Sequence, residues 1–382
     1  MTIRIDEIYN NTFWPWIQRH RPDLRIFYCD PFGRSDPDSV IGHALEHERL
    51  DTNYVFFFDQ EPLHEDLHRA TFDQVRYYNN ADIHHETWHR WQRNTQRPQQ
   101  IGHLVTSEYD SEVVKRICKH YGWQHYYYWF HGWAALDWYR GYNRSYLMTA
   151  PEARRITRTF VAPNRIAGGR RAHRLEMLYW IFRYDLVNNY ISCPAVCPAE
   201  NQAVQELIKP LRSRLPDIES VFDQVKLPLN MPGETGHPMT SCWLDLWQPC
   251  SESLLYLVTE TVATGRRQHL TEKIFKPIAQ AMPFVVVGTA GALAYLRSYG
   301  FQTFDTVWDE SYDDVVDDPA RIACIGRLLR DLDGLTVNQK QELFEQCRPI
   351  IEHNYNHFYS GAFEAVLWSE MNLMLEQLRQ ND

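Results

Sequence analysis

The feature that most limits the fold is a series of short, unbroken apolar runs. Leu24 to Cys29 reads LRIFYC, Asn53 to Phe58 reads NYVFFF, Gly102 to Thr106 reads GHLVT, and Tyr126 to Phe130 supplies a fourth. These runs are continuous rather than alternating, which marks strands covered on both faces, as in a parallel α/β sheet. A second series follows Pro151. It comprises a strand at Thr159 to Ala162, a helical stretch from Arg174 to Arg183, a short strand at Tyr190 to Ser192 and the strand LLYLVT at Leu254 to Thr259. A helix over Thr271 to Ala281, the strand FVVV at Phe284 to Val287, a helix over Gly291 to Tyr299 and a last strand at Phe301 to Phe304 complete it. Two successive β/α series predict an α/β protein of two doubly wound, Rossmann-like domains.

The 382 residues suffice for two separate cores. Residues 1–152 are expected to form the first domain, 153–355 the second and 356–382 a C-terminal helix. Phe363, Val366, Leu367, Met371, Met374 and Leu378 fall near one stripe of that helix, which can pack back across both domains. The stretch from 200 to 250 holds Pro210, Pro216, Pro228, Pro232, Pro238 and Pro249 and is too long for a simple connection, so it reads as a functional excursion or an insertion.

Several classes are disfavoured. The longest apolar stretches fall far short of the ~20 residues that span a bilayer. The start, MTIRIDE, has no apolar signal-peptide region, so a cytoplasmic setting (a host's cytoplasm if the chain is viral) with reduced thiols is expected. A net charge of −10 speaks against a surface that tracks nucleic acid throughout. Cys193 and Cys197 have no second pair to complete a zinc ribbon.

Two strings match zinc-protease patterns: His85-Glu86-Thr87-Trp88-His89, and the inverted form His43-Ala44-Leu45-Glu46-His47. Each puts two histidines on one helical face beside a carboxylate that can activate water. No metzincin-type third histidine follows His89 and the two strings compete for one role, so solvated helix faces are the plainer explanation of both. A zinc-dependent hydrolase stays as an alternative. Asp36-Pro37-Asp38 sits in a proline-rich turn, where aspartate serves turn chemistry.

Charge is concentrated rather than spread. Residues 154 to 183 hold eight arginines against one acid, Glu176. Within them lie the strand TFVA, Asn164, Arg165, Gly168-Gly169-Arg170-Arg171 and a helix starting near Arg174. Anions bind where backbone N–H groups at a helix start meet guanidinium groups. A solvated basic face is the plainer explanation, but the strand-to-helix setting favours a diphosphate site. After LLYLVT come Glu260, Thr261, Arg266, Arg267 and the run Thr271-Glu272-Lys273-Ile274-Phe275-Lys276-Pro277. Thr271 or a neighbour suits an N-cap. Lys273 then stands in a first turn, where the helix dipole disfavours a cation, and such a local conflict marks a functional candidate. Lys273 with that helix end makes a positive pocket for phosphate, and Glu272 can accept from ribose or sugar hydroxyls. Gly288 and Gly291 let a ligand approach the sheet edge.

The run Leu255 to Val287 resembles the donor-binding segment of α-1,3-fucosyltransferases. That family sets a carboxylate in F-E-N after a strand, then T-E-K on the next helix, then proline and an apolar strand. Glu260 matches the first carboxylate, with Thr261 in place of asparagine, and Glu272 and Lys273 match T-E-K. The segment from FVAPN to Arg174 resembles the family's strand and its later helix arginine, which implies Arg174 as the diphosphate ligand with Arg165 and Arg171 as alternates. The donor side then comprises Arg165, Arg171, Arg174, Glu260, Thr271, Glu272, Lys273 and Lys276. Asp59-Gln60-Glu61-Pro62 resembles the turn bearing the family's general base, which implies Glu61. The strings DQEPL, HGWAALDWYRGY and TEKIFKP also resemble glycosyltransferase-like proteins of phages.

The resemblance implies the two-domain GT-B arrangement and a nucleotide sugar as co-substrate, with no metal or other cofactor. The acceptor is left open among a glycan, a small molecule and a hydroxymethylated DNA base. The chemistry agrees: cations meet the departing diphosphate and a carboxylate takes the acceptor's proton, and one such base gives inversion. A non-catalytic sugar-nucleotide-binding protein is a further alternative. Ten of the twenty residues from Trp123 to Tyr142 are aromatic. Core packing or an acceptor platform accounts for them, and His131, Asp137 and Arg140 can add polar contacts to the latter.

Overall fold

The computed structural model describes residues 5, 8–28, 53–63, 101–141, 154–168, 171–198, 200–234 and 243–380. The two zinc-protease-like strings and Asp36 to Asp38 lie outside the described residues. The fold is α/β with parallel sheets. The chain divides into two compact units, one made of Met1–Asp137 with Glu364–Asp382, the other of Trp138–Phe363. Sequence reading instead draws the line at 152 and sets the C-terminal helix apart.

The first unit holds β1 (Leu24–Tyr28), β2 (Asn53–Phe58), β3 (Ile101–Thr106) and β4 (Gln124–Tyr127), parallel and ordered β1-β2-β3-β4. His103, Leu104, Val105 and Thr106 are buried in succession, so both faces of β3 are covered. That is the physical content of an unbroken apolar run. The fourth strand ends earlier than its sequence suggests, because Phe130 already opens the helix Phe130–Arg140. Between β3 and β4 runs the helix Glu112–Tyr121, capped at its start by Ser111 and closed by Gly122 in the left-handed region at φ 70°.

The terminal helix Ala362–Gln380 buries Phe363, Leu367, Met371, Met374 and Leu378 as expected, with Leu375 replacing Val366 on the stripe. From Glu364 it belongs to the first unit. Glu370 Oε1 accepts from Trp129 N at 2.6 Å, the Leu378 carbonyl accepts from Arg21 at 2.9 Å, and Trp368 packs edge-on against Trp133 at 4.7 Å.

The second unit holds β5 (Arg158–Ala162), β6 (Tyr190–Ile191), the small antiparallel pair β7 (Val196–Cys197) and β8 (Gln202–Ala203), β9 (Ser253–Thr259) and β10 (Phe284–Val287). Its main sheet is parallel and ordered β10-β9-β5-β6. Every residue of β9 and β10 is buried. The helix Thr271 to Ala281 expected from sequence is split into a 3-10 turn, Glu272–Ile274, and a short helix, Phe275–Ala279. Phe301 to Phe304 forms no strand; Phe301 and Phe304 are core plugs instead, against Phe275 and Phe284. Residues 200–234 pack as a cover over the helix His173–Arg183, with Phe222 edge-on to Phe182 at 5.0 Å and Asp217 accepting from Tyr179. Among the described residues no helix is long and apolar enough to cross a membrane.

Candidate ligand site at the carboxyl edge of the second sheet

From β5 the chain moves to β6 on one side; from β9 it moves to β10 on the other. Winding therefore reverses between β5 and β9, and in open α/β sheets the crevice outside the carboxyl ends of such neighbours is where ligands bind. Pro163-Asn164-Arg165 leaves β5 at that point and Glu260-Thr261 leaves β9.

Glu260 is fully buried. Its Oε2 accepts from Thr271 N at 3.1 Å, Thr271 Oγ at 2.5 Å and Thr261 N at 3.3 Å, while Oε1 has no partner among the described residues. Burial raises its pKa, and nearby Lys273 opposes the rise. Thr271 is the N-cap of the 3-10 turn, as its sequence position suggests. Lys273 is half-buried, and its Nζ donates to Thr261 Oγ at 3.1 Å, Thr271 Oγ at 3.2 Å and Glu272 Oε1 at 2.8 Å. Glu260, Thr261, Thr271, Glu272 and Lys273 thus form one bonded cluster beside the switch point.

Within the arginine-rich segment, Arg154, Arg165, Arg171, Arg174 and Arg183 have separate partners or positions. Arg174 is buried and spends its guanidinium on backbone carbonyls: Ile166 at 2.7 Å, Thr259 at 3.0 Å and Glu260 at 3.1 Å. Burial brings its pKa down to about 10, with neighbouring Arg171 adding to the fall. Its geometry is that of a brace for the end of β9, which differs from a side chain reaching toward a diphosphate. Beside it, buried His173 places Nε2 3.0 Å from the Glu260 carbonyl; burial holds its pKa down at about 3, so the neutral ring donates there.

Arg165 pairs with Glu234 at 2.8 Å and keeps a third of its side chain exposed. Arg154 is buried and donates to the Gln280 carbonyl, and Arg183 pairs with Asp217. Arg171 is half-buried at the turn closed by its own N–H on the Gly168 carbonyl. Gly168 itself is closely packed: a Cβ there would lie 2.6 Å from Glu200 Oε2 and 2.8 Å from a Leu207 methyl. Lys276 is buried with its ammonium 3.8 Å from Asp245, and burial lowers its pKa, so it lines the interior rather than a ligand surface.

The glycines after β10 also act differently from the sequence expectation. Gly291 adopts φ 80° to start the helix Ala292–Ser298, but the N–H groups of Leu293 and Ala294 are taken by the Asp313 carboxylate at 3.0 and 3.4 Å. The loop between Glu260 and Thr271 is pinned by Arg321, which is 1% exposed. It donates to the Ala263 carbonyl at 2.7 Å, the Gly288 carbonyl at 3.0 Å, the Val315 carbonyl at 2.7 Å and Asp318 at 2.6 Å. Sequence reading missed Arg321, although an arginine sharing a helix face with Ile325 and Leu329 was a signal that its charge is used inside.

In the first unit Glu61 follows β2 and is half-buried. Two residues before it, Asp59 is fully buried, and its Oδ2 accepts from Tyr9 OH at 2.8 Å and from Tyr128 OH. Burial pushes its pKa up to about 6, against the two phenolic hydrogen bonds. The aromatic segment is mostly core: Trp123, Tyr126, Tyr128, Trp129, Phe130, Trp133 and Tyr139 are all buried. Core packing therefore accounts for these seven rings among the described residues. His131 is buried, Asp137 accepts from Ile5 N at 3.1 Å, and Arg140 is half-buried. Among the described residues no three His, Cys, Asp or Glu side chains gather as a metal site. No family model, no curated protein and no solved structure matches the chain.

Proposed function

We propose that the protein is a glycosyltransferase that takes a sugar from a nucleotide sugar held at the carboxyl edge of the second unit's sheet. The observation that carries this reading is the cluster of Glu260, Thr271, Glu272 and Lys273 beside the β5/β9 switch point. A half-buried ammonium among hydroxyls meets the charge that grows on a departing diphosphate. Arg171, near Arg174, adds positive potential, while Arg165 is paired with Glu234; Arg174 contributes field while its donors hold the strand end.

On this reading the donor belongs to the second Rossmann-like unit and the acceptor to the first, as in the GT-B arrangement. Glu61, after β2, takes the proton of the acceptor hydroxyl, and a single displacement inverts the anomeric centre. The diphosphate is met by side-chain cations, so transfer proceeds in EDTA. The acceptor is a glycan, a small molecule or a hydroxymethylated DNA base. Incubation with radiolabelled nucleotide sugars and each acceptor class in EDTA tests this. Transfer is expected from wild type and is lowered about 10²- to 10⁴-fold in Glu61→Gln with donor affinity unchanged. Donor binding with no transfer to any acceptor would leave a sugar-nucleotide-binding protein in place of an enzyme.

A further inference from the structure

Asn164 stands at the centre of the carboxyl edge of the second sheet, and no role in ligand binding follows for it from the sequence. It is fully buried two residues beyond the end of β5. Its backbone N–H donates to Ser192 Oγ at 2.9 Å, just past β6, and its Oδ1 accepts from Thr259 Oγ at 2.9 Å, the last residue of β9. One residue thus ties three strand ends together. Its Nδ2 has no partner among the described residues. Turning the amide over does not remove the problem, because Thr259 satisfies one of its two heavy atoms and the other is left.

Next to Thr259, Glu260 repeats the pattern with the opposite polarity: three donors on Oε2 and none on Oε1. Buried polar atoms are almost always hydrogen-bonded, so two orphans on neighbouring strand ends call for a partner. They are complementary, one donor and one acceptor. As a carboxylate oxygen, Glu260 Oε1 favours a neutral donor over a phosphate oxygen. A hydroxyl can donate to one and accept from the other.

We infer that Asn164 Nδ2 and Glu260 Oε1 are a hydroxyl-reading pair, so that the site takes a polyhydroxylated ligand whose neutral, hydroxyl-bearing part lies at the β5/β9 edge while its anionic part lies toward Lys273. This rests on the proposed nucleotide-sugar site and adds a specificity-determining residue to it. The hydroxyl belongs either to the ribose or to the transferred sugar, and both offer the same chemistry.

Titration calorimetry with three probe sets separates these sources: ribonucleoside diphosphates, their 2′- and 3′-deoxy forms, and the matching nucleotide sugars. If the ribose is read, a deoxy form binds wild type about tenfold or more weakly. If the sugar is read, the sugar conjugate binds tighter than the bare diphosphate by a similar factor. In either case that ratio collapses toward one in Asn164→Asp, which keeps the oxygen facing Thr259 and removes the donor, and in Glu260→Gln. Matching circular dichroism spectra and melting curves show that the variants fold. Equal wild-type affinity across all three sets overturns the inference while leaving the nucleotide site standing, as does an unchanged ratio in folded variants, which would leave buried water as the partner of both atoms. Absence of wild-type binding to every probe removes both the inference and the reading beneath it.

Discussion

The two parallel sheets end in opposite ways. In the first, the described strands follow chain order and the edge carries a buried acid, Asp59, held by two phenols. In the second, the order reverses between β5 and β9 and the edge carries cations: Arg174 and Arg321 turned inward onto carbonyls, and half-buried Lys273. Both edges bury charge, but for different ends. A buried guanidinium donates through a rigid fork to several carbonyls and fixes loops. A buried carboxyl in an aromatic surround ionises later than a free one, and Asp59 has its pKa pushed up to about 6 by burial while the two phenols oppose the rise. On the proposed function, the anion belongs to the unit whose strand order reverses and the acceptor's proton to the other.

The largest expected effect that can break this contrast is at Arg321. Replacing it with methionine leaves four carbonyl or carboxylate acceptors without their donor in a buried setting, which costs about 3–5 kcal/mol. Chemical denaturation followed by tryptophan fluorescence should show that loss; a change under 1 kcal/mol would mean the loop between Glu260 and Thr271 holds itself.

The next effect lies in the first unit. Asp59 has its folded pKa raised to about 6, above an unfolded value near 3.8. A group raised on folding contributes stability that is complete below about 3.8 and is lost as pH climbs through about 6. Wild type should therefore lose on the order of 2–3 kcal/mol between pH 4 and pH 7.5 relative to Asp59→Asn. Urea unfolding of both proteins across that range measures it, and a gap that stays flat with pH would show that Asp59 does not titrate there.

The smallest effect sharpens the assignment of the anion site within the second unit. Asp313→Ala uncaps the helix Ala292–Ser298 and costs about 1–2 kcal/mol in stability. Because that helix end serves an internal carboxylate, nucleoside diphosphate affinity should be unchanged. A gain in affinity would move the anion site to the glycines after β10.

What was legible in the sequence follows the same division. Strand positions and the α/β class could be read because burial on both faces leaves an unbroken apolar run, as in β9 and β10. The stripe of the terminal helix could be read because Phe363, Leu367, Met371 and Met374 recur at helical spacing. The cluster at Thr271 to Lys273 could be read because a cap and a misplaced cation are adjacent in the chain. Partners far apart in sequence could not be read. Arg165 with Glu234, Arg174 with the Thr259 carbonyl, and Asp313 with the helix after Gly291 each occupy a charged group that sequence alone displays as available. The arginine-rich segment looked like one anion site because composition sums charges without regard to direction. Among the seven acids from Asp305 to Asp318, Asp313 and Asp317 likewise cap helices, Glu310 accepts from Phe304 N and Asp318 pairs with Arg321.

The claim that the second sheet's edge is the anion site rests on Lys273, whose half-exposed ammonium can be removed without opening a core. Isothermal titration of common nucleoside diphosphates in EDTA, with wild type and Lys273→Ala side by side, tests it most directly. At least one diphosphate should bind wild type saturably and bind the folded variant about a hundredfold more weakly, in line with losing a charge-assisted contact to phosphate. Equal binding by the two proteins, or no binding by wild type, would contradict the account.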